Sequence, residues 1–126
     1  MKRIIMDLDN TITITENGDY INSKPIKNVI EKLQQYKKLG FEIVISSSRN
    51  MRTYEGNIGK INIHTLPNII NWLNQHNVPH DEIYIGKPWC GEDGFYVDDR
   101  AIRPEEFVNL TYEQIKNITK IDKDEE

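Results

Sequence analysis

The chain has 126 residues, of which 37% are hydrophobic, and a formal net charge of −4. This length and composition predict one compact domain with one hydrophobic core. The negative charge excludes a general attraction to nucleic acid or to an anionic membrane, and no apolar run approaches the roughly 20 residues of a membrane span. Because Cys90 is the single cysteine, no intramolecular disulfide can form, and we expect a cytoplasmic location.

The first part of the chain predicts two buried strands, a hairpin and a helix. Residues 3–8 form a nearly continuous apolar run, which is typical of a strand covered on both faces of a parallel sheet. Alternating β-branched residues around Asn17-Gly18 predict a hairpin flap over residues 11–22. Pro25 at the start, Gly40 at the end and helical spacing of the apolar residues between them predict an amphipathic helix. A second buried strand follows at residues 41–45.

The second part continues the alternation of strands and helices. Residues 50–63 contain two glycines and no clear period, which predicts a long irregular loop of the kind that is often functional. Further elements are predicted as a helix at 67–76, strands at 83–86 and 94–97, helical turns at 104–108 and a last helix opening at Thr111. We therefore predict a single three-layer, doubly wound, Rossmann-like α/β domain over residues 1–121, with a mainly parallel sheet and an acidic, disordered tail at 122–126.

Polar residues follow each predicted strand. Asp7 to Thr11 follow the first strand, Ser46 to Arg49 the second, Lys87 the third, and Asp98-Asp99 the fourth. Because ligands of a parallel sheet bind beyond the carboxyl ends of its strands, these groups are expected to meet at one edge. Two carboxylates about 4 Å apart repel by roughly 4 kcal/mol at an effective dielectric of 20. A divalent cation would offset this repulsion, and Mg²⁺ is the candidate that prefers such oxygen ligands.

These groups fit the hydrolysis of a phosphate monoester. Asp7 can attack phosphorus and form an aspartyl phosphate, while Asp9 can protonate the leaving oxygen and later activate water. The hydroxyl of Ser47 and the ammonium of Lys87 can hold and neutralise the transferring group. The Asp98-Asp99 pair would hold the metal, one residue directly and the other through water, and the sequence leaves open which is which.

The same residues resemble a known family. Asp7-x-Asp9-x-Thr11, a serine near the end of the second strand, Lys87 in Gly-Lys-Pro and the Asp98-Asp99 pair are similar to the four ordered motifs of the haloacid dehalogenase (HAD) superfamily, over roughly residues 3–104. The resemblance implies a HAD-like fold in which Asp7 is both nucleophile and metal ligand. Asp9 would be the acid/base and would also bind Mg²⁺ through its backbone carbonyl.

For the second motif, the resemblance favours Ser47, which precedes Arg49 by two residues as in the family's Thr-x-Arg variant. Ser46 and Ser48 remain alternatives for this hydroxyl. We assign Thr11, Ser48 and Arg49 as candidate substrate-binding residues, although Arg49 is equally compatible with pairing to the acidic edge. The intervals between the motifs leave no room for a full cap domain, which implies an open site.

A narrower resemblance concerns the substrate. Ser-Arg-Asn-Met at 48–51, Gly-Lys-Pro-Trp at 86–89 and Tyr-Val-Asp-Asp-Arg at 96–100 are similar to small bacterial HAD proteins of capsule or surface-polysaccharide biosynthesis. This implies a sugar phosphate as the substrate. A nucleotide or polynucleotide end is the alternative, since Asp-Asp-Arg also occurs in polynucleotide phosphatases of the superfamily. A phosphate-binding or phosphoacceptor protein without turnover is the alternative from another class.

Overall fold

The computed structural model describes residues 2–85 and 92–121, except for the side chains of Pro104 and Phe107. Its elements in chain order are β1 (Arg3–Asp7), β2 (Thr13–Ile14), β3 (Lys24–Pro25), α1 (Lys27–Lys38), β4 (Glu42–Ser47), α2 (Ile58–His64), α3 (Leu66–Gln75), β5 (Glu82–Ile85), β6 (Phe95–Val97), α4 (Pro104–Asn109) and α5 (Tyr112–Thr119). Strands β5, β4, β1 and β6 form one sheet in that order, and every pairing in it is parallel. The predicted α/β, Rossmann-like fold with a mainly parallel sheet is confirmed.

The hydrophobic core lies on one face of the central strands. Ile4 and Met6 of β1 pair in register with Ile43 and Ile45 of β4, so their side chains share this face. Apolar side chains of α1 and α3 pack against them: Ile30, Leu33, Ile69, Trp72 and Leu73. Ile5 and Val44, which alternate to the opposite face, are buried as well. Strands β1 and β4 are therefore covered on both faces, as their continuous apolar sequence predicts.

The hairpin flap forms, but its pairing differs from the prediction. The tight turn lies at Asn17-Gly18, where both residues have positive φ, as a type I′ turn requires. The returning strand, however, is Lys24–Pro25, which pairs with β2, and not Tyr20-Ile21. Tyr20 instead packs against the Arg49 guanidinium, 4.3 Å from its ring centroid. Pro25 consequently belongs to β3, and α1 begins two residues later.

The prediction of an irregular loop over residues 50–63 is wrong in its second half. Turns occupy residues 50–56, but α2 follows at Ile58–His64. Asn57 caps this helix, since its side chain accepts a hydrogen bond from the Lys60 N–H at 3.1 Å. Ile61 is fully buried, and that burial offsets the low helix propensity of Gly59.

The other predicted helices are confirmed to within a few residues. Thr111 caps α5 by accepting from the Gln114 N–H at 3.2 Å, and α4 begins at Pro104 as predicted. Strand β4 extends two residues further than predicted, through Ser47. The Gly86 end of the third predicted strand and the tail at residues 122–126 lie outside the described residues.

Candidate active site

The carboxyl ends of β1 and β6 bring three aspartates together. Asp7 is the last residue of β1, and Asp98 and Asp99 directly follow β6, its neighbour in the sheet. One carboxylate oxygen from each of the three lies within 4.8 Å of the others. The backbone N–H of Arg100 donates to Asp98 Oδ1 at 2.8 Å, which orients that carboxylate. We call Asp7, Asp98 and Asp99 the carboxylate cluster.

The environment of Asp7 opposes its ionisation. Burial is the largest cause, followed by a hydrogen bond with Asp99 and repulsion from the charges of Asp98 and Asp99, and together they raise the pKa of Asp7 to about 8. Without a cation, two neighbouring carboxyl groups thus favour sharing a proton. A cluster of three hard oxygen donors that repel one another is chemically suited to a divalent metal ion.

The loop after β1 positions Thr11 beside this cluster. The Leu8 carbonyl accepts hydrogen bonds from the N–H groups of Thr11, Ile12 and Thr13, which curls the chain back over the strand end. The Thr11 hydroxyl donates to Asp7 Oδ2 at 2.9 Å and lies 3.3 Å from Asp99 Oδ1. Thr11 is therefore in direct contact with two members of the cluster.

Asp9 has different partners from Asp7. Arg49 donates to both of its oxygens, from Nε at 3.1 Å and from a terminal nitrogen at 2.7 Å. The hydroxyls of Thr13 and Thr15 add bonds to Asp9 Oδ1 at 3.4 and 3.0 Å. The Arg49 side chain is only 2% exposed, against 22% for Asp9. This bidentate arrangement fixes the orientation of the Asp9 carboxylate.

The three serines after the second predicted strand occupy different positions. Ser46 pairs in register with Asp7 in the neighbouring strand. Ser47 is buried, and its hydroxyl accepts a hydrogen bond from the Arg49 N–H at 3.0 Å. Ser48 is exposed in the loop that follows. Ser47 thus helps to shape the turn that carries Arg49, and the choice of second-motif hydroxyl remains a prediction.

The structure does not describe one of the predicted catalytic residues, and it adds three residues that the sequence did not predict at the site. Lys87 lies outside the described residues. Sequence reasoning did not assign Thr13, Thr15 or Tyr20 to the site, although all three contact Asp9 or its partner Arg49. The period-two spacing of Thr13 and Thr15 places them on one face of an extended segment, which was an available signal. No local sequence pattern indicated that Tyr20 would lie at the site.

A cavity of about 610 Å³ adjoins the carboxylate cluster. Asp98 and Asp99 line it together with Thr13 and Thr15 of the flap and Thr119 near the end of α5.

Among the described residues, no helix is both long and apolar enough to cross a bilayer. The fold and this site define the class: a small α/β protein with an acidic, metal-compatible site at the carboxyl edge of a parallel sheet.

Comparison with known proteins adds a family. The crystal structure of an MCSG target from Vibrio cholerae is 59% identical, and the match covers 97% of this chain and 99% of that chain with a TM-score of 0.67. The chain belongs to the same family as this Vibrio cholerae protein, whose name states no activity. No family model and no curated protein matches the chain.

Two structures of the Pnkp1/Rnl/Hen1 RNA repair complex are also similar to this chain. They are 15% and 16% identical, with TM-scores of 0.46 and 0.48. The matches cover 94% and 86% of this chain but only 30% and 34% of those chains. Similarity at this level supports no inference about the activity of the present chain.

Proposed function

We propose that the protein is a HAD-type, Mg²⁺-dependent phosphomonoester hydrolase that forms an aspartyl phosphate on Asp7. The observation that carries this proposal is the carboxylate cluster itself, with a strand-end aspartate within 4.8 Å of an adjacent pair from the next strand. Burial, and after it the neighbouring Asp98 and Asp99, raise the pKa of Asp7. This supports a cation between these groups, because a cation would offset both the burial of the charge and the repulsion. When bound there, Mg²⁺ would neutralise charge on the transferring phosphoryl group.

In the first half-reaction, a carboxylate oxygen of Asp7 forms a bond to phosphorus while the bond from phosphorus to the leaving oxygen breaks. The leaving oxygen then needs a proton, and Asp9 is the proposed donor. The Thr11 hydroxyl, 2.9 Å from Asp7 Oδ2, holds one oxygen of the nucleophile, which leaves the other to attack. Ser47 and Lys87 are proposed to bind and neutralise the phosphoryl oxygens, on the chemistry of their side chains and on the resemblance.

The second half-reaction fits the observed partners of Asp9 directly. Arg49 donates to both oxygens of Asp9 and so fixes the orientation of its carboxylate. A carboxylate held in this way is the proposed acceptor of a proton from attacking water. Donation to the leaving group requires the protonated form, so one bond to Arg49 must open in the first half-reaction. Arg49 is therefore proposed as the positioning residue of Asp9, and not only as a substrate contact.

The substrate proposed is a sugar phosphate of surface-polysaccharide synthesis, used in the cytoplasm. This rests on the resemblance of residues 48–51, 86–89 and 96–100 to small bacterial capsule proteins. A nucleotide or polynucleotide end is the second candidate. The carboxylate cluster disfavours a polynucleotide, because carboxylates that no metal ion neutralises repel the many phosphates of a nucleic-acid backbone.

The test is release of inorganic phosphate by wild type and by Asp7→Asn, with Mg²⁺ and with chelator. The substrates are p-nitrophenyl phosphate, hexose phosphates and a 3′-phosphorylated oligonucleotide. We expect metal-dependent release by wild type and a loss of at least a thousandfold in Asp7→Asn, because a nucleophile is removed. Asp19→Asn is the matched control, since Asp19 is exposed in the flap and its carboxylate accepts hydrogen bonds from nearby Asn22.

Undiminished turnover in Asp7→Asn would refute the mechanism. If neither protein releases phosphate, beryllofluoride trapping distinguishes the remaining possibilities. Magnesium-dependent trapping that requires Asp7 would identify a phosphoacceptor without turnover on these substrates. No trapping would remove the proposed role of Asp7 altogether.

A further inference from the structure

A second, smaller cavity lies on the Arg49 side of the site. It has a volume of about 180 Å³. Its walls are formed by the flap residues Tyr20 and Ile21, the loop after β4, and α3. We call it the amide pocket, because four carboxamide side chains line it: Asn50, Asn68, Asn71 and Gln75.

We propose that the amide pocket binds the leaving group of the substrate as a neutral, polyhydroxylated ring, that is, a sugar. This inference rests on the proposed function and adds the residues that would recognise the sugar. Arg49 and Tyr20, which also line the pocket, connect it to the catalytic groups. Arg49 bonds Asp9 at 2.7 Å, so one side chain links the pocket to the proposed proton donor.

The chemistry of the lining matches hydroxyl groups. A carboxamide offers both donors and acceptors, as a sugar hydroxyl does, so each can bond the other in either direction. Asn68, Asn71 and Gln75 recur at helical spacing along α3, and all three are exposed. Among the described lining residues, Arg49 is the single charged side chain, and its charge is already paired with Asp9. The pocket therefore suits a neutral group.

The aromatic residues of the pocket argue against a nucleobase. Recognition of single-stranded nucleic acid depends on bases stacking on aromatic faces and on several cations along the backbone. Trp72 is only 7% exposed, its Nε1 donates to the Ser23 carbonyl at 3.0 Å, and its ring lies 4.4 Å from that of His76. The Arg49 guanidinium occupies one face of Tyr20.

The larger cavity beside the carboxylate cluster does not suit the same ligand. In the described part of its lining, Glu16, Asp98 and Asp99 stand against one ammonium, that of Lys120. Its excess of carboxylates favours cations, whereas the amide pocket has no carboxylate among the described residues that line it. The two cavities thus divide the proposed site into a metal side and a leaving-group side.

The experiment compares the double variant Asn71→Ala/Gln75→Ala with wild type and with Asn74→Ala. Asn74 is exposed on the same helix and does not line the pocket, so it is the matched control. Steady-state kinetics with Mg²⁺ use hexose 1-phosphates, hexose 6-phosphates and p-nitrophenyl phosphate, whose leaving group has no sugar hydroxyls. Losing two hydrogen bonds should lower kcat/KM for the hexose phosphates roughly tenfold to thirtyfold more than for p-nitrophenyl phosphate, mainly through KM.

Equal losses of kcat/KM for the hexose phosphates and for p-nitrophenyl phosphate would overturn the inference. It would also be overturned if wild type hydrolysed p-nitrophenyl phosphate or a 3′-nucleotide but hydrolysed no hexose phosphate. In that second outcome the proposed hydrolase function would stand. If the protein shows no turnover, binding is measured instead. The Asp7→Asn/Trp89→Phe variant is titrated with glucose 1-phosphate and with mannose 1-phosphate, and the fluorescence of Trp72 reports binding. Saturable binding that the double variant loses supports the pocket, and no binding overturns it.

Discussion

Replacing Asp7 by asparagine should make the metal-free protein more stable while abolishing turnover. Asparagine has nearly the same shape as aspartate, its oxygen can still accept from the Thr11 hydroxyl, and its amide can donate to Asp99. Above the raised pKa of Asp7, the substitution removes one of three negative charges held within 4.8 Å of one another. Stability and catalysis should therefore move in opposite directions in this variant.

The raised pKa of Asp7 sets the size of the expected gain in stability. A shift from the ordinary value of 3.8 to about 8 disfavours the ionised folded state by at most about 6 kcal/mol, at about 1.4 kcal/mol per unit. Asp98 is exposed, so water screens part of the repulsion, and about 2 kcal/mol is a realistic gain. For a domain of this size, that corresponds to a rise in Tm of about 8 °C.

The pH dependence follows from the direction of the shift. Because the folded-state pKa is raised, wild type loses stability as the pH rises from about 4 through about 8, where Asp7 is forced to ionise. Asparagine does not titrate, so the advantage of Asp7→Asn should be small at pH 5 and complete above pH 8. Thermal unfolding in chelator at both pH values measures this. A Tm at pH 8.5 no higher than that of wild type, or a gain independent of pH, would refute the reasoning.

Three further predictions concern the metal and the ion pairs. Mg²⁺ should raise Tm, and its apparent affinity should increase from pH 6 to pH 8 in a calorimetric titration, because the metal competes with a proton for the carboxylate cluster; equal affinity at both values would contradict this. Burial alone would raise the pKa of Asp81, but hydrogen bonds from Lys37 and from the Ile43 N–H hold it below its ordinary value, so Asp81→Asn should destabilise the protein by about 1 kcal/mol in urea unfolding at pH 7, less as the pH falls below 4. Arg49→Met removes the guanidinium that pairs with Asp9, and should lower the free energy of unfolding by about 2 kcal/mol and abolish most of the activity. The matched substitution Arg52→Met, at an exposed neighbouring residue, should change neither quantity. Equal effects of the two substitutions would show that the Arg49–Asp9 pair is unimportant.

Much of the candidate site depends on local sequence patterns. The apolar run of β1 places Asp7 at a strand end, and the Asp98-Asp99 pair directly follows β6. In a parallel sheet, strand direction alone brings these ends to one edge. The carboxylate cluster could therefore be predicted from the sequence before any contact was known. Thr111 and Gly40 likewise mark the α5 start and the α1 end with local capping chemistry.

The sequence by itself determined the alternation of strands and helices, and with it the edge at which the acidic residues meet, because hydrophobic period and capping act over a few residues. Only the tertiary structure decided that Ile61 is buried and so supports a helix containing Gly59, that Lys24–Pro25 closes the flap, and that Arg49 pairs with Asp9. Each of these depends on a partner distant in the chain. Burial and long-range charge pairing are gained only when the chain folds, so no local pattern encodes them.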